Sequence, residues 1–357
     1  MSGIFGALGL NDTDRVFQAT AGQRVIYEEA VSYVNRVNAE IDRILGVFVE
    51  RTTSDYKLRY KLPGGGHLAR RGPSGRYGAV KATGSWDVAF PLEDFGAELA
   101  GDDVTMAYMT VQELNNHILT VTAKNVNTVR FEMLKALLNN TQGTVVDPLW
   151  GSLSIEPLAN GDTVVYPPVL GSETEAIDDH YLESSYAASA ISDANNPYET
   201  IRDELEEHFG AATGGENIVV FVNNAQRAKT EDLTDFDPVP DNYIRVGDNV
   251  NVPIGLPNVP GRILGRVSGC WVAEWRWIPS AYMLGILLSE AGPLMRRVDP
   301  ADTGLGQGLQ LVAQEEEFPF QSSVWRHRFG FGAGNRLNGV VMELGTGGSY
   351  SIPSGYS

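Results

Sequence analysis

The sequence predicts an α+β fold, in which two long helices accompany many short strands. Apolar residues recur at steps of three and four along residues 14–45 and again along residues 110–142, which is the spacing of amphipathic helices. Elsewhere, short apolar or alternating runs are bounded by glycine, proline and asparagine, which is typical of strands and turns. The chain has 357 residues, of which 43% are hydrophobic and 20% charged, so it can bury a sizeable core.

The first helical pattern is best defined from Gln23 to Leu45. Ala30, Val34 and Ile41 belong to its apolar stripe, with polar residues between them. Gly46 suits the C-terminal cap, where a left-handed backbone is common.

Residues 47–92 predict a long hairpin with glycine-rich bends. The run from Lys57 to Leu62 alternates apolar and charged residues, turn clusters follow at 63–66 and 72–75, and strand character returns up to Phe90. Because a two-stranded ribbon is marginally stable by itself in water, this hairpin must lie on another surface.

The hairpin also carries a charge anomaly. Between Lys57 and Lys81 there is no Asp or Glu, while the rest of the chain has 20 basic against 45 acidic residues, a net charge of −25. The seven basic residues are Lys57, Arg59, Lys61, Arg70, Arg71, Arg76 and Lys81.

Three interpretations of this basic span are open. The ribbon could lie on the acidic surface of another copy, with opposite potentials setting the register. It could bind nucleic acid, with Tyr56, Tyr60 and Tyr77 stacking on bases. It could also be a solvated hairpin folded on its own domain. The charge segregation favours the first, so we expect an arm that reaches a neighbouring subunit.

The second helical pattern is the longest in the chain. Leu114, Ile118 and Val129 lie on one stripe, and Thr110 or Thr105 could start the helix. At about 1.5 Å per residue such a helix spans about 45 Å and needs packing along its whole length.

The remainder predicts short strands with two further helices. A second region opens near Glu173. The predicted helices lie at 197–209 and 281–288, and the predicted strands at 144–146, 153–155, 163–166, 217–222, 262–267, 269–276, 308–314, 325–331 and 339–344.

No motif predicts an enzyme, a cofactor or a metal. The single Cys270 rules out an internal disulfide, and the glycines of 304–308 lack the following helix and the lysine of a phosphate loop. The acidic loop around Asp235 lacks the glycine and glutamate of an EF-hand. The histidines show no His-x-x-x-His spacing, so no zinc site is expected. They are His67, His117, His180, His208 and His327.

Composition restricts the location and the partners of the protein. No apolar stretch is long enough to span a membrane, and the start lacks the cationic region of a signal peptide, so we expect a soluble protein made in the cytoplasm. The formal charge of −18 disfavours nucleic-acid binding by the chain as a whole. Only 6 of the 27 basic residues are lysines. This bias indicates either a halophilic host or GC-rich codon usage.

Taken in order, these elements resemble a known family. The segment from Leu62–Gly66 to Val88–Leu92 resembles an extended E-loop, Thr110–Asn140 a spine helix, and Trp325–Gly332 with Asn335–Val341 the closing strands of a peripheral domain. Together they resemble the major capsid protein of tailed viruses (Caudoviricetes), with the Hong Kong 97-like capsid fold.

The resemblance implies four parts and a function. Residues 1–50 would form the N-terminal arm, 51–100 the E-loop, 101–175 with 310–357 the peripheral domain, and 176–309 the axial domain. The protein would be no enzyme and would need no cofactor. It would self-assemble, as hexamers and pentamers, into the icosahedral head that encloses double-stranded DNA. Portal, scaffold and cement proteins are the implied partners, and the arm follows Met1 too closely for an N-terminal scaffolding domain.

Some members of that family form a lysine–asparagine cross-link assisted by a glutamate. By location, the candidates are Lys81, Asn335 or Asn338, and Glu343. Two other functions stay open: an encapsulin-like compartment with the same fold, and a soluble α/β hydrolase-type enzyme.

Overall fold

The computed structural model describes residues 4, 13–15, 23–62, 68, 70–73, 75, 85–100, 108–141, 143–167, 175–209, 217–239, 259–315 and 322–357. The helices in these ranges are α1 (Gln23–Leu45), α2 (Val111–Leu138), α3 (Pro197–Phe209) and α4 (Arg227–Glu231). The strands are β1 (Val49–Thr53), β2 (Lys57–Lys61), β3 (Ser85–Ala89), β4 (Glu93–Ala100), β5 (Gly143–Asp147), β6 (Gly151–Ile155), β7 (Tyr181–Glu183), β8 (Ile218–Val222), β9 (Asp237–Pro238), β10 (Arg262–Val267), β11 (Cys270–Glu274), β12 (Tyr282–Leu287), β13 (Leu294–Arg297), β14 (Gln310–Glu315), β15 (Ser322–Ala333) and β16 (Val340–Glu343).

The long strand β15 organises a five-stranded sheet. It pairs antiparallel with β4 over residues 322–329, with β14 over residues 322–326 and with β13 over residues 330–333. β1 extends the sheet by pairing parallel with β13. Because β15 joins segments far apart in sequence, this sheet holds residues 49–100 against residues 294–333.

The helix α2 crosses this sheet and begins with a complete capping box. The Thr110 hydroxyl accepts the backbone N–H of Glu113, and the Glu113 carboxylate accepts the N–H of Thr110 at 2.8 Å. The sequence left Thr105 as an alternative start; it lies outside the described residues. The N-terminal half of α2 packs against α1 and Trp325. Its C-terminal half packs against Phe329 and the second sheet.

The second sheet has seven strands in the order β7-β16-β12-β8-β11-β10-β9. Its central strand β8 is buried on both faces, as the run of Val and Ile predicted. Ile218, Val220 and Val222 face α3, whereas Val219 and Phe221 face the core shared with α2. This alternation follows the two-residue period of a strand and places the sheet between two apolar layers.

Two predicted elements are wrong. Residues 163–166, predicted as a strand, form only an isolated bridge between Tyr166 and Ala176. The segment 281–288 is the strand β12, not a helix, and it pairs antiparallel with both β8 and β16. A continuous apolar run fits a buried strand and a buried helix equally well, and neighbouring strands decide between them. Gly285 permits this placement, since a side chain there would collide with Ile201 of α3.

The other predicted helices α1, α2 and α3 are confirmed, and so is the hairpin, with β2 antiparallel to β3. Strand pairing crosses the predicted domain boundaries at several points. β13, from the predicted axial segment, joins the sheet of β15, and β16, from the predicted peripheral segment, joins the sheet of β12. Among the described residues, no helix is both long and apolar enough to cross a membrane.

Candidate assembly surfaces

The base of the β2–β3 hairpin is anchored to the body of the subunit by aromatic packing. The Trp86 indole donates to the carbonyl of Gly334 at 3.0 Å, stacks on Tyr60 and meets Tyr166 edge-on. Trp86, Val88 and Tyr166 belong to one buried cluster. The predicted need for a supporting surface is therefore met, at the base of the hairpin, by the chain's own body.

Two of the seven basic residues have an acidic partner inside the hairpin. Asp87, on β3, lies 3.2 Å from the Lys57 ammonium and 2.8 Å from the Arg59 guanidinium. Hydrogen bonds from Arg59 and then Lys57 lower the pKa of Asp87 to about 2. Since Asp87 follows the span from Lys57 to Lys81, the whole hairpin is less basic than that span alone.

Of the other five basic residues, three are exposed and two lie outside the residues that the structure describes. Lys61 and Arg70 are exposed and form no ion pair with another described residue. Arg71 is exposed, and its guanidinium donates to the Gly75 carbonyl at 3.2 Å. Arg76 and Lys81 lie outside the described residues. The role of all seven as an inter-subunit contact stays a prediction.

A second hairpin, β5–β6, presents an apolar tip that the sequence did not predict. Val146 is 76% exposed, Leu149 83% and Trp150 53%. Contiguous exposed apolar side chains mark protein-contact sites more often than single ones do. The strands themselves were predicted, but only the fold shows that these three side chains have no core to enter.

The apolar tip is held in a fixed shape. Asp147 accepts the backbone N–H groups of Leu149 and Trp150 at 2.8 and 3.1 Å. Its carboxylate also forms a buried ion pair with Arg297 at 2.8 Å. Burial opposes ionisation of Asp147, but the backbone and Arg297 hydrogen bonds outweigh it, so its pKa is lowered.

The tip of the β5–β6 hairpin contacts the base of the β2–β3 hairpin. The rings of Tyr56 and Trp150 stack with centroids 4.2 Å apart and planes 14° from parallel. The Tyr56 carbonyl also accepts the N–H of Phe90. A movement of one hairpin is therefore coupled to the position of the other.

The candidate cross-link residues have structural roles within the subunit. Asn338 is fully buried, and its amide binds the backbone of Leu287 in both directions and the carbonyl of Ala291 at 2.7 Å. The buried amide of Asn335 also donates to Ala291. Glu343 accepts two bonds from Ser351. Lys81 lies outside the described residues, and the cross-link stays a prediction.

A chain of polar side chains, of which all but Asp42 are buried, joins the two long helices through the sheet. Arg296 on β13 pairs with Asp42 of α1 and donates to the ring of His327 on β15 at 3.1 Å. His327 in turn binds Asn125 of α2. These four residues fix the positions of both helices on the sheet.

The scattered histidines do not stay apart in the fold. His180 and His208 meet at the carboxylate of Asp178, although 28 residues separate them in sequence. Cys270 is buried, and burial raises the pKa of its thiol to about 12.

The geometry can be compared with known proteins. No protein-family model matches the sequence, and no curated protein matches it. Among solved structures, one from Mycobacterium phage Patience is similar over 96% of this chain and 96% of its own, with 17% identity and a TM-score of 0.64. The mature capsid of bacteriophage PhiM1 is similar over 84% of this chain and 86% of its own, with 12% identity and a TM-score of 0.51. The chain therefore has the α+β fold of phage capsid structures, as its order of elements predicted.

Proposed function

We propose that this protein is the major capsid protein of a tailed virus, which self-assembles into an icosahedral head around double-stranded DNA. The observation that carries the proposal is the extent of the structural similarity. It covers nearly the whole chain in one phage structure and most of it in the mature capsid of bacteriophage PhiM1.

The exposed residues of the two hairpins support assembly with other copies. One presents exposed cations at Lys61 and Arg70, and the other an exposed apolar tip around Leu149. Each such contact can be small, because a subunit held by several neighbours re-forms any broken contact at a high effective concentration. The acidic body supplies the complementary charge for the basic arm.

The charge of the chain also suits a container for DNA. A net charge of −18 repels phosphate, so the inner surface would not hold the genome in place by tight binding. The proposal places the protein in the virion, after assembly in the host cytoplasm as hexamers and pentamers. Scaffold, portal and cement proteins are its proposed partners, and it has no membrane partner and no catalytic role.

Electron microscopy of the purified protein tests the proposal. We expect closed shells of uniform size, accompanied by hexamers or pentamers at low protein concentration. A chain that stays a monomer or small oligomer at every salt and protein concentration would contradict it and favour a soluble enzyme. Shells isolated from the natural source should contain DNA. Shells filled with a protein cargo would instead indicate an encapsulin-like compartment.

A further inference from the structure

Two histidines and an aspartate converge at one point between α3 and β7. The ligand atoms of Asp178, His180 and His208 all lie within 4.8 Å of one another. Asp178 Oδ2 is 3.0 Å from the Nε2 of His180 and also contacts the Nε2 of His208. The side chain of His180 is fully buried, that of His208 is 5% exposed, and Asp178 opens to the surface.

Well-packed elements hold these three side chains in place. Asp178 and His180 immediately precede β7, where the backbone of His180 bonds to Ala159 on one side and Val341 on the other. His208 lies in the last turn of α3, whose other face packs on the seven-stranded sheet. The cluster is therefore built by two elements that come from distant parts of the sequence.

The hydrogen bonds of His180 require a positive species beside its Nε2. Its Nδ1 lies 2.9 Å from the carbonyl of Gly339, which can only accept, so Nδ1 carries a proton. In a neutral ring the Nε2 is then an acceptor, yet it faces a carboxylate oxygen, which is also an acceptor. Either a second proton or a metal cation must lie between these two atoms.

The rings of His180 and His208 lie with centroids 5.3 Å apart, and both are shielded from water. A divalent cation needs only neutral rings and satisfies all three ligand atoms together.

A further carboxyl group, that of Glu204, lies near the cluster. Glu204 lies one turn before His208 on α3, on the same face of the helix. Burial and then the charge of Asp178 raise the pKa of Glu204 to about 7. Because the charge of Asp178 acts on Glu204, this carboxyl group is close enough to interact electrostatically with the cluster.

We propose that Asp178, His180 and His208 form a binding site for a divalent transition metal ion, with Zn²⁺ the best fit, which ties the segment before β7 to the end of α3. Two imidazole nitrogens with a carboxylate form a typical zinc donor set, with bonds of about 2.0–2.2 Å. The bond from His180 Nδ1 to Gly339 is the outer contact that commonly orients a metal-binding histidine. Since β7 is an edge strand that pairs only with β16 among the described strands, the ion would fasten the edge of the seven-stranded sheet.

Metal titration of the full-length chain tests this site. After removal of metal with a chelator, we expect the protein to bind one Zn²⁺ per chain in competition with a chromophoric chelator. Its melting temperature should rise with Zn²⁺ concentration, because the ion binds the folded state alone. Co²⁺ should give the visible absorption of a four-coordinate site, a readout that needs no mutation. Absence of both the stoichiometric binding and the Co²⁺ spectrum would overturn the proposal.

Variants separate this site from adventitious binding. His208→Gln and Asp178→Asn should each weaken Zn²⁺ binding at least tenfold, with far-UV circular dichroism unchanged. His117→Gln is the matched control, because His117 is exposed on α2, away from the cluster. Equal affinity in all three variants would show that the ion binds elsewhere. The result is independent of assembly, so the metal site and the capsid function can fail separately.

Discussion

Asn125 of the long helix α2 and His327 of the strand β15 are joined by a 2.6 Å hydrogen bond in the interior. On the other side of the ring, the Arg296 guanidinium donates to Nε2. That nitrogen is therefore an acceptor, and Nδ1 carries the only proton of a neutral imidazole. Burial and then the charge of Arg296 lower the pKa of His327 to about 3.

This histidine makes the stability of the subunit depend on pH. As pH falls below about 6.5, the unfolded chain takes up a proton at position 327 that the folded chain refuses until about 3. Stability contributed by the neutral ring is thus lost across that window, by up to about 1.4 kcal/mol per pH unit. We expect His327→Gln to remove this component, so that the difference in unfolding free energy between the two proteins narrows as pH falls from 6.5 to 4.5. Urea denaturation at several pH values measures it, and parallel pH curves would contradict it.

The buried pair of Asp147 and Arg297 should dominate the stability of the region beneath the apolar tip. Asp147→Ala leaves the Arg297 guanidinium buried without its carboxylate and should lower the unfolding free energy by about 3–5 kcal/mol. Asp87→Ala is the matched control, because Asp87 also pairs with arginine but at the surface, and its effect should be far smaller. Urea denaturation measures both unfolding free energies. An equal decrease in the two variants would show that a buried ion pair costs no more to break here than an exposed one.

The apolar tip of the β5–β6 hairpin is expected to act in assembly and not in folding. Leu149 is 83% exposed, so Leu149→Glu should leave the melting temperature of the subunit unchanged. If the tip packs against another copy, the same change buries a charge in that contact and should raise the concentration needed for assembly at least tenfold. Leu149→Met, which keeps the apolar character, should assemble normally. Light scattering follows both, and normal assembly of Leu149→Glu would exclude the tip from the contacts.

The basic arm should contribute an electrostatic contact that weakens with salt. Reversing Arg70, Arg71 and Arg76 to Glu should leave the subunit folded but impair assembly, most strongly at low ionic strength. The ion pairs of Asp87 suggest a control in the opposite direction. Asp87→Asn makes the hairpin more basic, so it should assemble at least as well as the unchanged chain. Shells that form normally after the triple reversal would show that the arm does not act through its charge.

The sequence predicted elements well where the chemistry of the fold is local. The apolar stripe of α1 acts within one helix and was predicted at the observed residues, and Thr110 was one of the two predicted starts of α2. β12 was predicted as a helix because only its neighbours β8 and β16 make it a strand. The contact of His180 and His208 with Asp178 depends on how α3 packs. Leu149 is exposed because no other element covers it among the described residues. No local pattern carries such information.

A substitution of Asn338, in the loop between β15 and β16, tests whether this residue stabilises the subunit or takes part in a covalent cross-link. Its amide group donates to the carbonyls of Leu287 and Ala291, so Asn338→Asp would place a carboxylate against two carbonyl oxygens in a buried site. The loss of two donors and the buried charge should lower the unfolding free energy by about 3 kcal/mol or more, even in the unassembled subunit. Ser351→Ala, which removes one bond to the half-buried Glu343, is the milder control and should cost about 1 kcal/mol. A variant as stable as the unchanged chain would contradict the structural role. In that case a ladder of linked chains from wild-type shells on a denaturing gel, absent from shells of Asn338→Asp, would assign Asn338 to the cross-link instead.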